Sequence, residues 1–427
     1  MNVPKVFPGS SAARHGRRTE GRRLALFSLQ CLVAGMVLVR GSEFCLGYFS
    51  KSSPPADGPD AAAGAERGSK GTHRWGDLSY VRIDIERPDE FLSTAPTPAR
   101  YKNWFFPGYT VDRLTALIES CDFSAQARSQ LLDQSRWTMQ RDGIVVAQPD
   151  LDVVLEMSPA TRQTIYLVLA ESPQNVGKFS PFAFRAGGFA EWFAHSEVSP
   201  STESLVKKLI YGRGQSICFS DLDEVFTQIS SQHERKRLLK TLSREPTVLM
   251  KLTVHADSDL DGLADYWGRG TGAGEARQLL EALSKVPGGG SIDIVHLLPA
   301  FARGRLYTYP FPTEQPGGSH EDCFWTSMNF FKDVPDERFA DFAETRKSLQ
   351  QEYAPVTGEP GYGDVVLLTD AQGNTFHAAI YLADEVVFTK NGGHFNQPWI
   401  LMKLSDLLAA YPVERGVTVG VWRQRNT

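Results

Sequence analysis

The stretch HEDCFWTSMNFF, residues 320–331, and the stretch FHAAIYL, residues 376–382, decide the fold predicted for this chain. The first follows a Pro/Gly-rich loop and carries apolar residues at helical spacing, which places Cys323 in the first turn of a helix. The second reads as a strand and carries His377. Because backbone N–H groups and the helix dipole stabilise a thiolate at a helix start, we expect the pKa of Cys323 to be lowered.

Strands joined by short turns surround these two stretches. Predicted strands cover residues 365–368, 376–382, 386–389, 399–402 and 417–422, with a helix capped by Ser405 before the last and a helical connection over 338–353. Turns of Gly, Asn and Asp between strands favour antiparallel pairing. With the cysteine helix packed on this sheet, the predicted fold class is α+β.

Residues 301–427 resemble the NlpC/P60 family of papain-like cysteine peptidases and amidases. The resemblance is carried by Asp322-Cys323 at a helix start, by GDVVL at 363–367 entering the central strand, and by HAAIYL at 377–382 on the next strand. The family usually has small residues after the nucleophile, whereas Phe324 and Trp325 follow here. This departure indicates a divergent branch.

The resemblance implies Cys323 as nucleophile and His377 as general base, and the chemistry of a thiol beside an imidazole gives the same assignment. The group that orients the imidazole should come from the next strand or its exit. Thr389 aligns best by distance from His377, but Asn391 is the better acceptor and keeps the strand parity, so we select Asn391. An oxyanion hole would use the Cys323 N–H and an upstream tyrosine, for which Tyr309 is the nearest match.

These residues predict a membrane-tethered or exported cysteine hydrolase that cleaves an amide bond, with a cell-wall peptide as the expected substrate and no required cofactor. A non-catalytic papain-like binding module and a Cys–His acyltransferase are the alternatives. A zinc site from His320, Cys323 and either His377 or His394 has the ligand types but not a recognised spacing.

The N-terminal region has the pattern of an export signal. Residues 1–23 form a basic region that we expect to stay in the cytoplasm, and residues 24–49 begin with the charge-free run LALFSLQCLVAGMVLV, which predicts a signal peptide or signal-anchor helix. The bulk of the chain would then be extracytoplasmic. Residues 50–74 are rich in Ser, Pro, Ala and Gly, which is typical of a flexible linker.

Composition narrows the function classes. The 427 residues contain Lys+Arg 45 and Asp+Glu 50, a net charge of −5, which provides no general nucleic-acid-binding surface. Five cysteines cannot all pair and exclude a disulfide scaffold. Cys121 and Cys218 are either a disulfide or two buried thiols.

Residues 75–300 predict a mostly helical domain of unknown role. Apolar residues three and four apart predict helices near 111–120, 158–170, 204–211 and 220–242, with a short strand at 144–146. Ser158 before Pro159, and Ser220 before Asp221, are the expected helix caps.

One acidic cluster in this domain suggests calcium. Its carboxylates are Asp257, Asp259, Asp261 and Asp265. Carboxylates at alternate positions before Gly262 can wrap a hard cation, but Gly268 stands where an EF-hand-type loop has its glutamate. The alternative is a solvated, capped turn before a helix.

Overall fold

The computed structural model describes residues 66–67, 73–94, 103–140, 142–310, 321–412 and 416–425. The basic region 1–23, the signal or anchor segment 24–49 and most of the linker 50–74 lie outside them. Among the described residues, no helix is both long enough and apolar enough to cross a membrane. Helices and antiparallel sheets are combined, which is compatible with the α+β class.

Strands are distributed along the whole of the described chain. In chain order they are β1 (Glu66–Arg67), β2 (Asp77–Ile85), β3 (Trp104–Phe106), β4 (Thr138–Met139), β5 (Val145–Ala147), β6 (Phe182–Arg185), β7 (Tyr211–Arg213), β8 (Ser216–Phe219), β9 (Glu245–Val254), β10 (Gly290–Asp293), β11 (Tyr353–Pro355), β12 (Val365–Thr369), β13 (Thr375–Ala383), β14 (Val386–Lys390), β15 (Trp399–Lys403) and β16 (Thr418–Gln424).

Helices occupy much of the chain before Cys323. They are α1 (Val111–Ser120), α2 (Ala125–Leu132), α3 (Leu151–Glu156), α4 (Pro159–Leu169), α5 (Val176–Phe179), α6 (Phe189–Phe193), α7 (Pro200–Leu209), α8 (Leu222–Gln228), α9 (Gln232–Ser243), α10 (Leu260–Thr271), α11 (Ala273–Ser284), α12 (Ala300–Arg305), α13 (Cys323–Asn329), α14 (Phe342–Glu352) and α15 (Leu404–Ala410). Short 3₁₀ turns cover Asp89–Phe91, Gln134–Arg136, Ile294–Leu297 and Glu337–Ala340.

Four antiparallel sheets organise the described strands. The N-terminal sheet has the order β1-β2-β9-β10, and two small sheets have the orders β3-β5-β4 and β6-β8-β7. The C-terminal sheet has the order β11-β16-β12-β13-β14-β15. The five strands predicted around Cys323 and His377 all belong to this C-terminal sheet, so the predicted antiparallel pairing is confirmed.

One pair of strands was not predicted, and two local predictions are wrong. Strand β2 pairs along its length with β9, although both fall within the stretch predicted as mostly helical. Their pairing joins residues far apart in sequence, so neighbouring residues give no sign of it. The predicted helix at 220–242 is divided between α8 and α9. Ser405 lies inside α15, which follows Lys403 without a side-chain cap.

A buried ionic cluster explains another difference. Ser158 caps α4 as predicted, but Asp221 makes no capping hydrogen bond to α8. Its carboxylate instead pairs with Arg162, accepts a hydrogen bond from Tyr166 and lies 3.5 Å from Lys178. Arg162 and Asp221 are both fully buried. The capping group is therefore used to neutralise cations in the core between α4 and β8.

The two faces of the C-terminal sheet are covered by different helices. Cys323 and the rest of α13 pack in one apolar cluster with Ala378 and Ile380 of β13. Ala379 and Tyr381, which alternate with them, belong to the cluster that contains the apolar residues of α15. The sheet is therefore buried between α13 on one face and α15 on the other.

The N-terminal sheet packs directly against the C-terminal sheet. Thr247 in β9 donates a hydrogen bond to the carbonyl of Leu401 in β15 at 2.7 Å and accepts one from its N–H at 3.2 Å. One apolar cluster includes Leu78, Met250 and Cys323 and so runs across residue 300. Strands β2 and β9 are therefore part of the core that supports the cysteine helix.

Candidate active site

Cys323 is the first residue of α13, as the sequence predicts. The Asp322 side chain caps the helix by accepting a hydrogen bond from the Trp325 N–H at 2.8 Å. Cys323 itself is 5% exposed. Its thiol lies against the backbone N–H of Ala378, the residue that follows His377 in β13. The start of α13 therefore places the Cys323 thiol beside the backbone of the residue that follows His377.

The resting thiol is not activated by its helix. Burial raises the pKa of Cys323 to about 12, and the negative charge of Asp322 adds to the rise, while the Ala378 N–H and Lys390 oppose it. The prediction of a lowered pKa is therefore wrong. The helix dipole is worth too little to offset removal of the thiolate from water.

Lys390 places a buried cation on the same side of the sheet as Cys323. Strand alternation in β14 puts Lys390 on the face of Phe388, which packs in the cluster of Cys323. Its ammonium donates hydrogen bonds to the carbonyls of Gly392 at 2.7 Å and His394 at 3.0 Å. Burial lowers the pKa of Lys390 to about 8, against the opposing charges of Glu321, Cys323 and Asp322.

His377 points to the opposite face of the sheet. It pairs in register with Leu368 of β12, which lies in the cluster beneath α15. His377 is fully buried, and burial lowers the pKa of its imidazole to about 3. Both ring nitrogens are engaged: Nε2 lies 2.9 Å from Thr389 Oγ1, and Nδ1 lies 2.7 Å from the Tyr411 hydroxyl. No hydrogen bond joins these nitrogens to Cys323 in the described residues.

Tyr411 is bonded to the histidine and is influenced by the charge of the cysteine. It is the residue at which α15 ends, and its ring packs on His377 and Phe376 at centroid distances of 4.6 Å and 5.5 Å. Burial raises the pKa of Tyr411 well above its usual value, and the charge of Cys323 is the next largest cause of the rise. The tyrosine hydroxyl is therefore bonded to the imidazole and within electrostatic reach of the thiol.

Thr389, rather than Asn391, orients the imidazole. The Asn391 amide lies 3.3 Å from the Met402 sulfur and makes no hydrogen bond to His377. The selection of Asn391 is therefore wrong. Thr389 lies on the β14 face that His377 shares and reaches Nε2 diagonally, whereas Asn391 follows the end of the strand.

Tyr309, the predicted oxyanion donor, faces a different group. Burial raises the pKa of its hydroxyl, and Glu245 raises it further, while Arg87 opposes the rise. Its ring packs on Phe91 at 5.7 Å. Nothing among the described contacts joins Tyr309 to Cys323, so the structure does not bring these two predicted residues together.

An open cavity of about 760 Å³ lies next to this site. Tyr411 and Asn391 line one side of it, and Glu245 and Arg87 lie close by on the same wall. Burial raises the pKa of Glu245, while Arg87 and the amides of Asn391 and Gln397 oppose the rise. Residues of α5 and β6 also line the cavity. The cavity is thus shared between the C-terminal sheet and the preceding helical region.

The other predicted sites have simpler surroundings. Asp259 caps α10 by accepting a hydrogen bond from Gly262 at 3.0 Å, and Asp261 pairs with Arg277. Within the described ranges, no group of three or more His, Cys, Asp or Glu side chains is arranged to hold a metal ion. Cys121 and Cys218 are buried free thiols. His320, needed for the zinc alternative, lies outside the described residues.

Sequence reasoning missed Tyr411 and Lys390. Tyr411 follows a short helix near the C-terminus, and no motif marks its approach to His377. Lys390 carries a weak signal, because it is a lysine at an inward position of an otherwise apolar strand, VVFTK. Comparison of the chain with family models, curated proteins and solved structures found no match.

Proposed function

We propose that this protein is a cysteine hydrolase of amide bonds in which Cys323 is the nucleophile and Tyr411 passes its proton to His377. The observation that carries the proposal is the continuous arrangement of Thr389, His377 and Tyr411, which ends within electrostatic reach of the Cys323 thiol. A buried histidine held at both nitrogens has a fixed orientation, which proton transfer requires.

The reaction would begin from neutral groups. The Cys323 sulfur attacks the substrate carbonyl carbon and forms a thioester through a tetrahedral intermediate. The thiol proton passes to the Tyr411 oxygen as the tyrosine proton passes to Nδ1 of His377. The C–N bond then breaks, and the leaving amine receives the proton back from His377 through Tyr411. Water hydrolyses the thioester by the same route in reverse.

Lys390 would supply charge stabilisation in this scheme. Its buried ammonium is the cation that favours the thiolate of Cys323, and negative charge that develops there in the transition state is stabilised more strongly in a site that excludes water. At pH values below about 8 the lysine remains protonated. This arrangement offsets part of the cost of burying the thiolate.

The test is hydrolysis of a panel of peptidyl 7-amino-4-methylcoumarin amides by the full chain. Activity should be abolished in Cys323→Ala and reduced at least about 10²-fold in His377→Asn. Cys121→Ala is the matched control, because it removes another buried thiol outside the site, and it should retain activity. Equal activity in Cys323→Ala and the parent protein would contradict the proposal.

A non-catalytic binding module is the second candidate. It is favoured by the raised pKa of Cys323 together with the absence of a direct hydrogen bond to His377 in the described structure. This candidate predicts no turnover of any amide and no Cys323-dependent labelling by a peptidyl vinyl sulfone. If turnover occurs, adding a primary amine and analysing the products separates hydrolysis from acyl transfer.

A further inference from the structure

The cavity beside Tyr411 has the composition of a binding site. Apolar side chains of α5 and β6 line it together with Arg185 of β6, and Val176 and Phe179 are 55% and 49% exposed. These two side chains lie three residues apart in α5 and together give an exposed apolar edge to the cavity. Polar side chains of β9 and of the segment after β14 also line the cavity. The lining therefore offers both apolar and polar groups.

Polar atoms on the cavity walls lack partners within the described structure. They include Ser243 Oγ, Arg87 Nε and Asn391 Oδ1. Ser243 is only 3% exposed, so its hydroxyl has little access to bulk water. Because buried polar groups are nearly always hydrogen-bonded, three such atoms at one cavity indicate a ligand that offers both acceptors and donors.

Arginines outnumber carboxylates among the residues that line the cavity. Four arginines and two carboxylates line the cavity; the arginines are Arg87, Arg185, Arg213 and Arg244, and the carboxylates are Glu245 and Asp406. Asp406 also pairs with Arg82, which lies outside the lining, and Arg185 pairs with Glu191. Arg244 donates to the carbonyls of Trp192 and Ala194 and lies 3.4 Å from Asp84.

We propose that this cavity binds a short peptide that carries a free carboxylate and an apolar side chain. The arginines and Ser243 would meet the carboxylate, Asn391 Oδ1 would accept a peptide N–H, and Phe179 would cover the apolar side chain. A volume of about 760 Å³ suits a ligand of a few residues.

The position of Tyr411 relates this site to the proposed function. Because Tyr411 lines the cavity and also bonds to His377, a peptide in the cavity lies beside the proton path from Cys323. The cavity would therefore hold the part of the substrate next to the bond that is cleaved. This last step rests on the proposed hydrolase, whereas peptide binding does not.

The experiment is a fluorescence titration of the full chain carrying Cys323→Ala, which prevents turnover. The probes are dansyl-Gly-Phe-Glu and its uncharged analogue dansyl-Gly-Phe-Gln-amide. The acidic peptide should bind about tenfold more tightly. Phe179→Ser and Ser243→Ala should each weaken its binding about threefold to tenfold, and Arg303→Ala, an exposed arginine outside the cavity, should leave binding unchanged.

Equal affinity for the two probes, no binding of either at millimolar concentration, or full binding by Phe179→Ser and Ser243→Ala together would overturn the proposal. Phe179→Ser changes an exposed residue, so loss of folding does not obscure that result. If the acidic peptide binds but the parent chain cleaves no amide, the peptide-binding proposal is supported and the hydrolase proposal fails. If amides are cleaved without preference for a carboxylate, the hydrolase proposal is supported and the peptide-binding proposal fails.

Discussion

The hydroxyl of Tyr411 lies 2.7 Å from Nδ1 of His377, and 34 residues separate the two along the chain. This bond occupies one of the two ring nitrogens through which the imidazole could accept a proton. The tyrosine is thus either the carrier of the proton or an obstacle to its transfer. These two roles predict opposite results when the hydroxyl alone is removed.

Tyr411→Phe keeps the ring that packs on His377 and Phe376 and removes only the hydroxyl. We expect kcat for a peptidyl amide to fall about 10²-fold with little change in KM, because the proton path is broken while substrate contacts remain. Steady-state kinetics measure both constants. An increase in kcat would show that the hydroxyl blocks His377 instead.

Thr389→Ala removes the acceptor for His377 Nε2. We expect a loss of about 1 kcal/mol in the free energy of unfolding, from the lost hydrogen bond, and a drop in kcat. Thr389→Ser should retain most of both properties. Asn391→Ala should leave His377 unaffected and weaken peptide binding instead. Urea unfolding and kinetics on the three variants separate these effects. A larger drop in kcat for Asn391→Ala than for Thr389→Ala would support Asn391 as the residue that orients His377.

Lys390 predicts an alkaline limit to activity. Because burial lowers its pKa to about 8, the ammonium is lost as the pH rises through that value, and the stabilisation of negative charge at Cys323 is lost with it. The profile of kcat against pH should therefore fall above about pH 8. In Lys390→Met, which keeps similar length without charge, activity should be low throughout and this decline should disappear. An unchanged pH profile in Lys390→Met would show that Lys390 does not cause the alkaline decline.

The buried pair of Arg162 and Asp221 predicts a large stability effect. Asp221→Ala leaves the guanidinium buried without its carboxylate, which typically costs about 3–5 kcal/mol. Replacing both residues together, as Arg162→Met with Asp221→Ala, should recover much of that loss. Chemical denaturation of both variants and the parent protein measures these losses. Equal destabilisation by the single and double changes would indicate that packing, rather than the unpaired charge, determines the loss.

Local sequence information predicted the elements around the site well. Helix α13 and strands β12 to β15 follow from apolar spacing and from turn residues, and the helix starts at Cys323 as expected. The electrostatics did not follow, because the burial of Cys323 and His377 depends on distant segments that pack over them. A helix start lowers a thiol pKa only where water or cations compensate the charge.

Local sequence information was also insufficient to select the residue that orients His377. Both Thr389 and Asn391 fit the sequence, and the choice between them depended on where β14 ends and how the sheet twists. Strands β2 and β9 were missed for a related reason: each gains its stability from a partner far along the chain. Tyr411 also depends on tertiary packing, which short motifs do not encode.

The two hydrogen bonds between Thr247 and Leu401 have a practical consequence. A fragment that starts at residue 301 would keep Cys323, His377 and Tyr411, yet it would lose β9 and leave β15 without its neighbour. Such a fragment would expose apolar side chains that are buried in the full chain, and it would tend to aggregate. A shortened chain for expression should therefore begin near residue 73, so that β2 and β9 are kept with the C-terminal sheet.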